Sequence, residues 1–316
     1  MRLVVAASLG LLFLSAGVSA SPGRSHAPRT LRLVFTRFRL HAAPVAVTTT
    51  VGAVWVVVET QGSQAQLRRL DPSSGRLRFS ALIGRAGPDF GAASNANGIV
   101  FAAAGDHIVR APAVAPRRVE RALVAGEAAA IAIGFHSVWV ASIGQQRDWI
   151  TRLNAVTLAV EARIPISVQP VARRAAFGSM WLATTQSLQK LNPATNRLRP
   201  TTVLTNNPIG LLFFAGQLWL YQLDDVMTAV AGPRSSGTQL ALPFRPSAVA
   251  ATPTQIWATD NCACMRGTIA LLDARTHRLV AERKIGETPV ALATDGDVAF
   301  VATFNDGTLS RVYLSD

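Results

Sequence analysis

Apolar residues in this chain come in short runs closed by Gly, Pro, Asn or Asp, and the runs return in a fixed order. Three segments, GAVWVVVETQGSQAQLRRLDPSSGRLRFSALI from Gly52, GFHSVWVASIGQQRDWITRLNAVTLAVEARI from Gly134 and GSMWLATTQSLQKLNPATNRLRPTTVL from Gly178, share one phrase. Each has a glycine, a Trp among aliphatics, a polar loop, Leu-Asx with a turn, and a second aliphatic run. Runs such as AVWVVV (53–58) are apolar at successive positions, the pattern of a strand buried on both faces. No helical period persists, and β-branched residues and Gly dominate. The aromatics Trp55, Phe101, Trp139, Trp181, Trp219, Trp257 and Phe300 recur at intervals of 46, 38, 42, 38, 38 and 43 residues. Copies at that period predict the blades of a propeller.

Each copy divides into four strand-length runs, in the third copy 128–133, 137–142, 149–154 and 158–166. The turns LDPSSGR, LNPATNR and LDARTHR put Asp71, Asn192 and Asp273 at turn starts, as Asn154 is in its own copy. These four are expected to shape turns rather than act in catalysis. The last copy stops one strand short, and TLRLVFTRFRL (30–40) precedes the first full one. That run is expected to supply the missing outer strand and close the ring. The fold expectation is all-β: a seven-bladed propeller of four-stranded blades over residues 30–316.

Residues 1–20 carry a single charge, Arg2, then an apolar run and the small residues Val18-Ser19-Ala20. They read as a signal peptide cut after Ala20, followed by a flexible leader over 21–29, which implies a secreted or extracytoplasmic protein. No later stretch is long and apolar enough to span a bilayer as a helix. The net charge is +13, and of 31 basic residues only Lys190 and Lys284 are lysines. The arginines are spread over the repeats, which reads as a solvated basic surface. Export and scatter argue against nucleic acid, whereas loose attraction to an anionic cell-envelope polymer fits.

GTIALLDARTHRLVAERKIGETPVALATDGDVAFVATFND (267–306) resembles the YVTN-type β-propeller repeat, and the copy from Gly52 is similar to repeats of streptogramin-lyase-like (virginiamycin B lyase-like) propellers. The resemblance implies a propeller over about residues 30–316. Those lyases pair a catalytic His with metal-binding acids. The repeat matches here, but that constellation does not.

In such propellers ligands meet the top face, formed by inter-blade loops and second-to-third-strand loops. The expected top-face set is Glu59, Asp89, Glu127, Arg147, Asp148, Asn206, Asp260, Asn305 and Asp306. A hydrolase or lyase would use His41 or His107 as base with an acid such as Glu287. His136 and His277 are expected on the opposite turns as surface residues. Asp224, Asp225, Asp260 and Asp306 are candidates for a divalent metal, although no cofactor is otherwise indicated. DNCACMRG (260–267) holds the only cysteines, Cys262 and Cys264. They could form a local disulfide, a redox pair or, with Met265, a soft-metal site. Three readings stand: a binding or scaffold module for a peptide, glycan or protein; a lyase- or hydrolase-like enzyme; and a redox or soft-metal protein.

Overall fold

The computed structural model describes residues 31–86, 92–168, 170–204, 207–233, 237–260 and 266–315, with 92–96 and 203 described by backbone alone. Seven four-stranded antiparallel sheets follow one another along the chain. They are blade 1 (43–85), blade 2 (92–123), blade 3 (127–166), blade 4 (170–203), blade 5 (208–241), blade 6 (248–284) and blade 7 (289–315 with 32–39). Blades 1 to 6 run from an inner to an outer strand in chain order, and in blade 7 the outer strand is the N-terminal one. The molecule is a seven-bladed β-propeller.

The apolar runs explain the ring. In the second strand of blade 1, Ala53, Trp55 and Val57 pack with Val100 and Ala102 of blade 2. Val54, Val56 and Val58, between them, pack with Phe300 of blade 7. Alternate residues therefore serve opposite neighbours, and neither face of the strand meets water. The same contact steps round the ring: Phe101 against Val138 and Val140, Trp139 against Met180 and Leu182, and Trp181 against Leu218 and Leu220. Trp219 meets Ile256 and Ala258, and Trp257 meets Ala299 and Val301. Each aromatic fills the wedge between its own blade and the next. The indole N–H of Trp139 reaches Gly134 O (3.1 Å) and that of Trp181 reaches Ala176 O (3.0 Å), both at the end of the inner strand.

Closure follows the expectation. Arg32–Arg39 pairs antiparallel with Thr308–Ser315 in unbroken register, from Arg32 opposite Ser315 to Arg39 opposite Thr308. Three inner strands open on proline, Pro170, Pro208 and Pro289, and Pro44 is the second residue of a fourth; each proline is followed by a register shift. A residue without an N–H fits the first position of a free inner edge. Asp71, Asn154, Asn192 and Asp273 each accept two backbone N–H bonds from the turn that follows, for example Ala194 N–H to Asn192 Oδ1 at 2.8 Å. They are turn formers.

Several arginines depart from the expected solvated surface, while Arg76, Arg197 and Arg278 are exposed as expected. Arg69 and Arg110 lie cross-strand from Trp55 and Phe101, and Arg152 lies 5.0 Å over the Trp139 ring. Their guanidinium groups donate to Ala113 O, Ala155 O and Pro193 O, each in the outer turn of the following blade. Arg68 donates to Leu40 O (2.6 Å) and Arg283 to Leu33 O (2.7 Å), also across blades. Planar five-donor groups can cover an aromatic and cap a carbonyl together. These arginines tie blades to one another. His277 also differs: it takes the left-handed position of its turn (φ 59°) but sits edge-on to Trp219 at 6.1 Å.

Candidate functional site

One end of the ring, the top, carries the inter-blade loops and the second-to-third-strand loops; the other end carries the remaining turns. His41 and Glu287 lie in inter-blade loops, and Asn305 and Asp306 in the blade 7 loop, as expected. Glu59 and Asp260 fall within the ends of second strands, and Glu127 and Asp148 begin strands. Asp89, Asn206, Cys262 and Cys264 lie outside the described residues.

Four of these candidates meet. A top-face cavity of about 790 Å³ is lined by His41, Glu287, Asn305 and Asp306, together with Arg37, Arg39 and Arg266. Three loops build it, and hydrogen bonds stitch them. Glu287 N–H donates to Asp306 Oδ2 (2.9 Å), Asn305 Nδ2 to Thr288 Oγ1 (2.8 Å), Phe304 N–H to Thr288 O (2.9 Å) and Leu40 N–H to Gly307 O (2.9 Å). At Gly286 a Cβ would lie 2.1 Å from Asp306 Oδ2, so a side chain there would displace that carboxylate. His41 (φ 52°) and the β-branched Thr288 (φ 54°) are both left-handed. Such conformations persist where neighbours over-determine them, and they gather at functional sites.

The cations come from two blades. Arg37 and Arg39 alternate with Phe38 on the outer strand, and Phe38 packs toward blade 1. Both arginines therefore face blade 6, which supplies Arg266. The Phe35 ring supports Arg37 at 4.9 Å and Arg283 at 4.6 Å. Among the described residues no ion pair engages Arg37, Arg39 or Arg266. Three guanidinium groups thus face a cavity with two carboxylates, one of which already accepts a backbone N–H. The wall offers charge and bidentate donors for an anion, beside Glu287 and Asn305 for hydroxyl groups. The arginine contribution escaped the sequence reading. Its trace was the alternation FTRFR, which sets Phe35, Arg37 and Arg39 on one side of a strand.

His107 takes a different place. Its Nδ1 lies 2.5 Å from Asp106 Oδ1, and both line a cavity of about 890 Å³ between blades 1 and 2 with Glu127 and Arg85. Asp106 also borders a third top-face cavity, of about 840 Å³, with Arg147. On the inner strand of blade 4, Arg173 donates to Pro170 O (3.0 Å) while its Nε and Nη1 are buried with no hydrogen-bond partner among the described residues. Desolvation pulls this guanidinium down to about 10. Arg174 keeps solvent contact, although desolvation by the surrounding protein lowers its pKa too. Burial pushes the neighbouring Tyr221 phenol up to about 12, over Gly210, where a Cβ would lie 1.9 Å from Tyr221 Cζ.

Among the described residues no three His, Cys, Asp or Glu side chains gather to hold a metal. Asp306 Oδ2 is taken by Glu287 N–H and Asp224 Oδ1 faces Val226 N–H at 3.3 Å.

The fold and this loop-built face define a β-propeller with a top-face cavity. No protein-family model and no curated protein matches the chain. Among solved structures it is similar to the hydrazine synthase of Kuenenia stuttgartiensis, with a TM-score of 0.67 and 12% identity over 86% of this chain and 96% of that one. It is also similar to the computationally designed Ika8 protein, with a TM-score of 0.58 and 12% identity over 87% of this chain and 97% of that one. At that identity the likeness is one of fold.

Proposed function

We propose that this chain is an exported binding module whose top-face cavity between blades 6, 7 and 1 takes an acidic glycan, such as an anionic cell-envelope polymer. One observation carries the reading: Arg37, Arg39 and Arg266 converge on a single cavity with His41, Glu287, Asn305 and Asp306. Arginine forks suit carboxylate or phosphate groups, and the short polar side chains suit sugar hydroxyls. The stitched loops hold these groups in place before the ligand arrives, which limits the ordering cost of binding. The signal-like residues 1–20 support export.

The test is calorimetric titration with an oligouronate and a glycerol-phosphate oligomer, each against a neutral glycan of equal length. Binding of an acidic oligomer should weaken at least about tenfold in Arg39→Glu/Arg266→Glu, the loss of roughly one charge-assisted contact. Equal affinity for the neutral glycan, or an unchanged variant, would remove the reading.

A second reading rests on the His107–Asp106 contact at 2.5 Å. An imidazole oriented by a carboxylate is the arrangement of a general base, and Glu127 shares its cavity. This is the site from which a hydrolase- or lyase-like activity would operate. His107→Gln should abolish any turnover found, and turnover that survives it would exclude this site.

A further inference from the structure

The end of the ring opposite the glycan cavity has its own chemistry. In blade 4 a niche of about 290 Å³ is lined by Ser179, Lys190, Asn192, Thr195, Arg197 and Arg199. No carboxylate lines it. Its floor is rigid: Asn192 Oδ1 accepts from Ala194 and Thr195 N–H (2.8 and 3.1 Å), and Arg152 from blade 3 caps Pro193 O. Lys190 Nζ is held 4.5 Å over the Trp181 ring. The facing carboxylate of blade 3, Glu161, is occupied by Arg152 (2.8 Å), Ser137 and Asn154. Three cations and two hydroxyls thus remain around a space large enough to admit a phosphate group.

Beside this niche stands an aromatic pair that the fold does not need. Phe177, in the turn leading to Ser179, is 46% exposed, and Phe213 of blade 5 is 38% exposed, with ring centroids 5.5 Å apart at 72°. Phe177 occupies the first left-handed position (φ 48°) of a two-residue hairpin turn whose second is Gly178 (φ 68°). That position strongly prefers Asn, Asp or Gly, and a bulky residue there is an outlier. The same end exposes Val51 (93%), Val114 (72%) and Val156 (66%) at turn tips, along with Arg76, Arg117, Arg118, Arg275 and Arg278. The exposed acids Asp295 and Asp297 of the blade 7 turn also lie at this end. The closing strand also begins at this end.

We propose that this end docks on an anionic phospholipid bilayer, with the blade 4 niche receiving a lipid phosphate and Phe177 and Phe213 entering the interface. Aromatics at headgroup depth with surrounding basic residues are what such a surface recognises. The glycan cavity would then face away from the membrane.

The test is flotation of the full-length protein with phosphatidylcholine vesicles, with and without about a third phosphatidylglycerol. Wild type should partition more strongly onto the anionic vesicles and release as salt is raised. Arg197→Glu/Arg199→Glu should lower that partition about thirtyfold, two basic contacts at about fivefold each, while binding to neutral vesicles stays as in wild type. Phe177→Asn should weaken vesicle binding while leaving thermal unfolding unchanged or raised, because Asn suits the turn. Equal partition of the arginine variant and wild type would overturn the proposal. So would saturable binding of inorganic phosphate to the niche without preference for anionic vesicles, which would assign it to a soluble phosphorylated ligand.

Discussion

Truncating Phe38 to Ala tests whether the N-terminal strand closes the ring. Phe38 is 7% exposed on the closing strand, and its ring fills the space where Gly75 of blade 1 has no Cβ; an added one would lie 2.3 Å from the ring. Nearly all of the ~200 Å² of a phenylalanine side chain thus leaves water. At ~25 cal/mol/Å² that is ~5 kcal/mol, and measured Phe-to-Ala truncations cost about 3–5 kcal/mol. Allowing for a compact denatured chain brings the expectation to about 3 kcal/mol. Guanidinium unfolding followed by tryptophan fluorescence reads it as a lowered midpoint at unchanged slope. Gly75→Ala supplies the second arm. Alone it meets both the ring and its positive φ of 68°; in the Phe38→Ala background only about 1 kcal/mol of backbone strain remains. The two substitutions should therefore couple strongly. A loss below about 0.5 kcal/mol for Phe38→Ala, the range of an ordinary surface change, would mean that the strand is not part of the packed ring.

Other outcomes follow from single groups. Gly286→Ala should push the Asp306 carboxylate off Glu287 N–H, weakening acidic-glycan binding several-fold with little change in melting temperature; unchanged affinity would take Asp306 out of the site. The Asp71 carboxyl is held well below its usual range, chiefly by Ser73 and then by the Ser74 N–H and hydroxyl and by Arg78. Its contribution is present above about pH 4 and fades as the pH falls through the folded-state value, so Asp71→Asn, which keeps the turn acceptor, should flatten the fall in melting temperature below that pH. Tyr221, raised to about 12 by burial, stabilises the fold below about pH 10 and loses this as the pH climbs toward 12. A phenolate absorbance titration should therefore lose its latest step in Tyr221→Phe. Gly210→Ala should cost about 1–3 kcal/mol by overpacking against that ring, recovered in part by Tyr221→Leu.

The ring was legible because its signals are local and repeated. Doubly buried second strands cannot alternate, so AVWVVV announces sheets stacked on both sides, and the missing last strand with a spare first one announces closure. The Asx turns were equally plain, since Asp71, Asn154, Asn192 and Asp273 need only the backbone that follows them. The site was half legible. His41, Glu287, Asn305 and Asp306 could be placed on top-face loops, but their meeting depends on how blades 6, 7 and 1 come together. Arg37 and Arg39 were hidden because strand residues were counted as structure, and Arg266 because it follows the cysteine pair. The inter-blade roles of Arg69, Arg110 and Arg152 were invisible for the same reason: their carbonyl partners lie some forty residues away in the next blade.

The most direct test of the central claim is hydrogen–deuterium exchange of the full chain with and without a saturating acidic oligosaccharide. The account predicts slower exchange in the three stitched loops, 40–42, 285–288 and 304–307, with the loops at 61–63 and 105–106 unchanged. Protection centred on 105–106 would move the ligand to the His107–Asp106 cavity, and no protection of the top face would contradict the binding assignment.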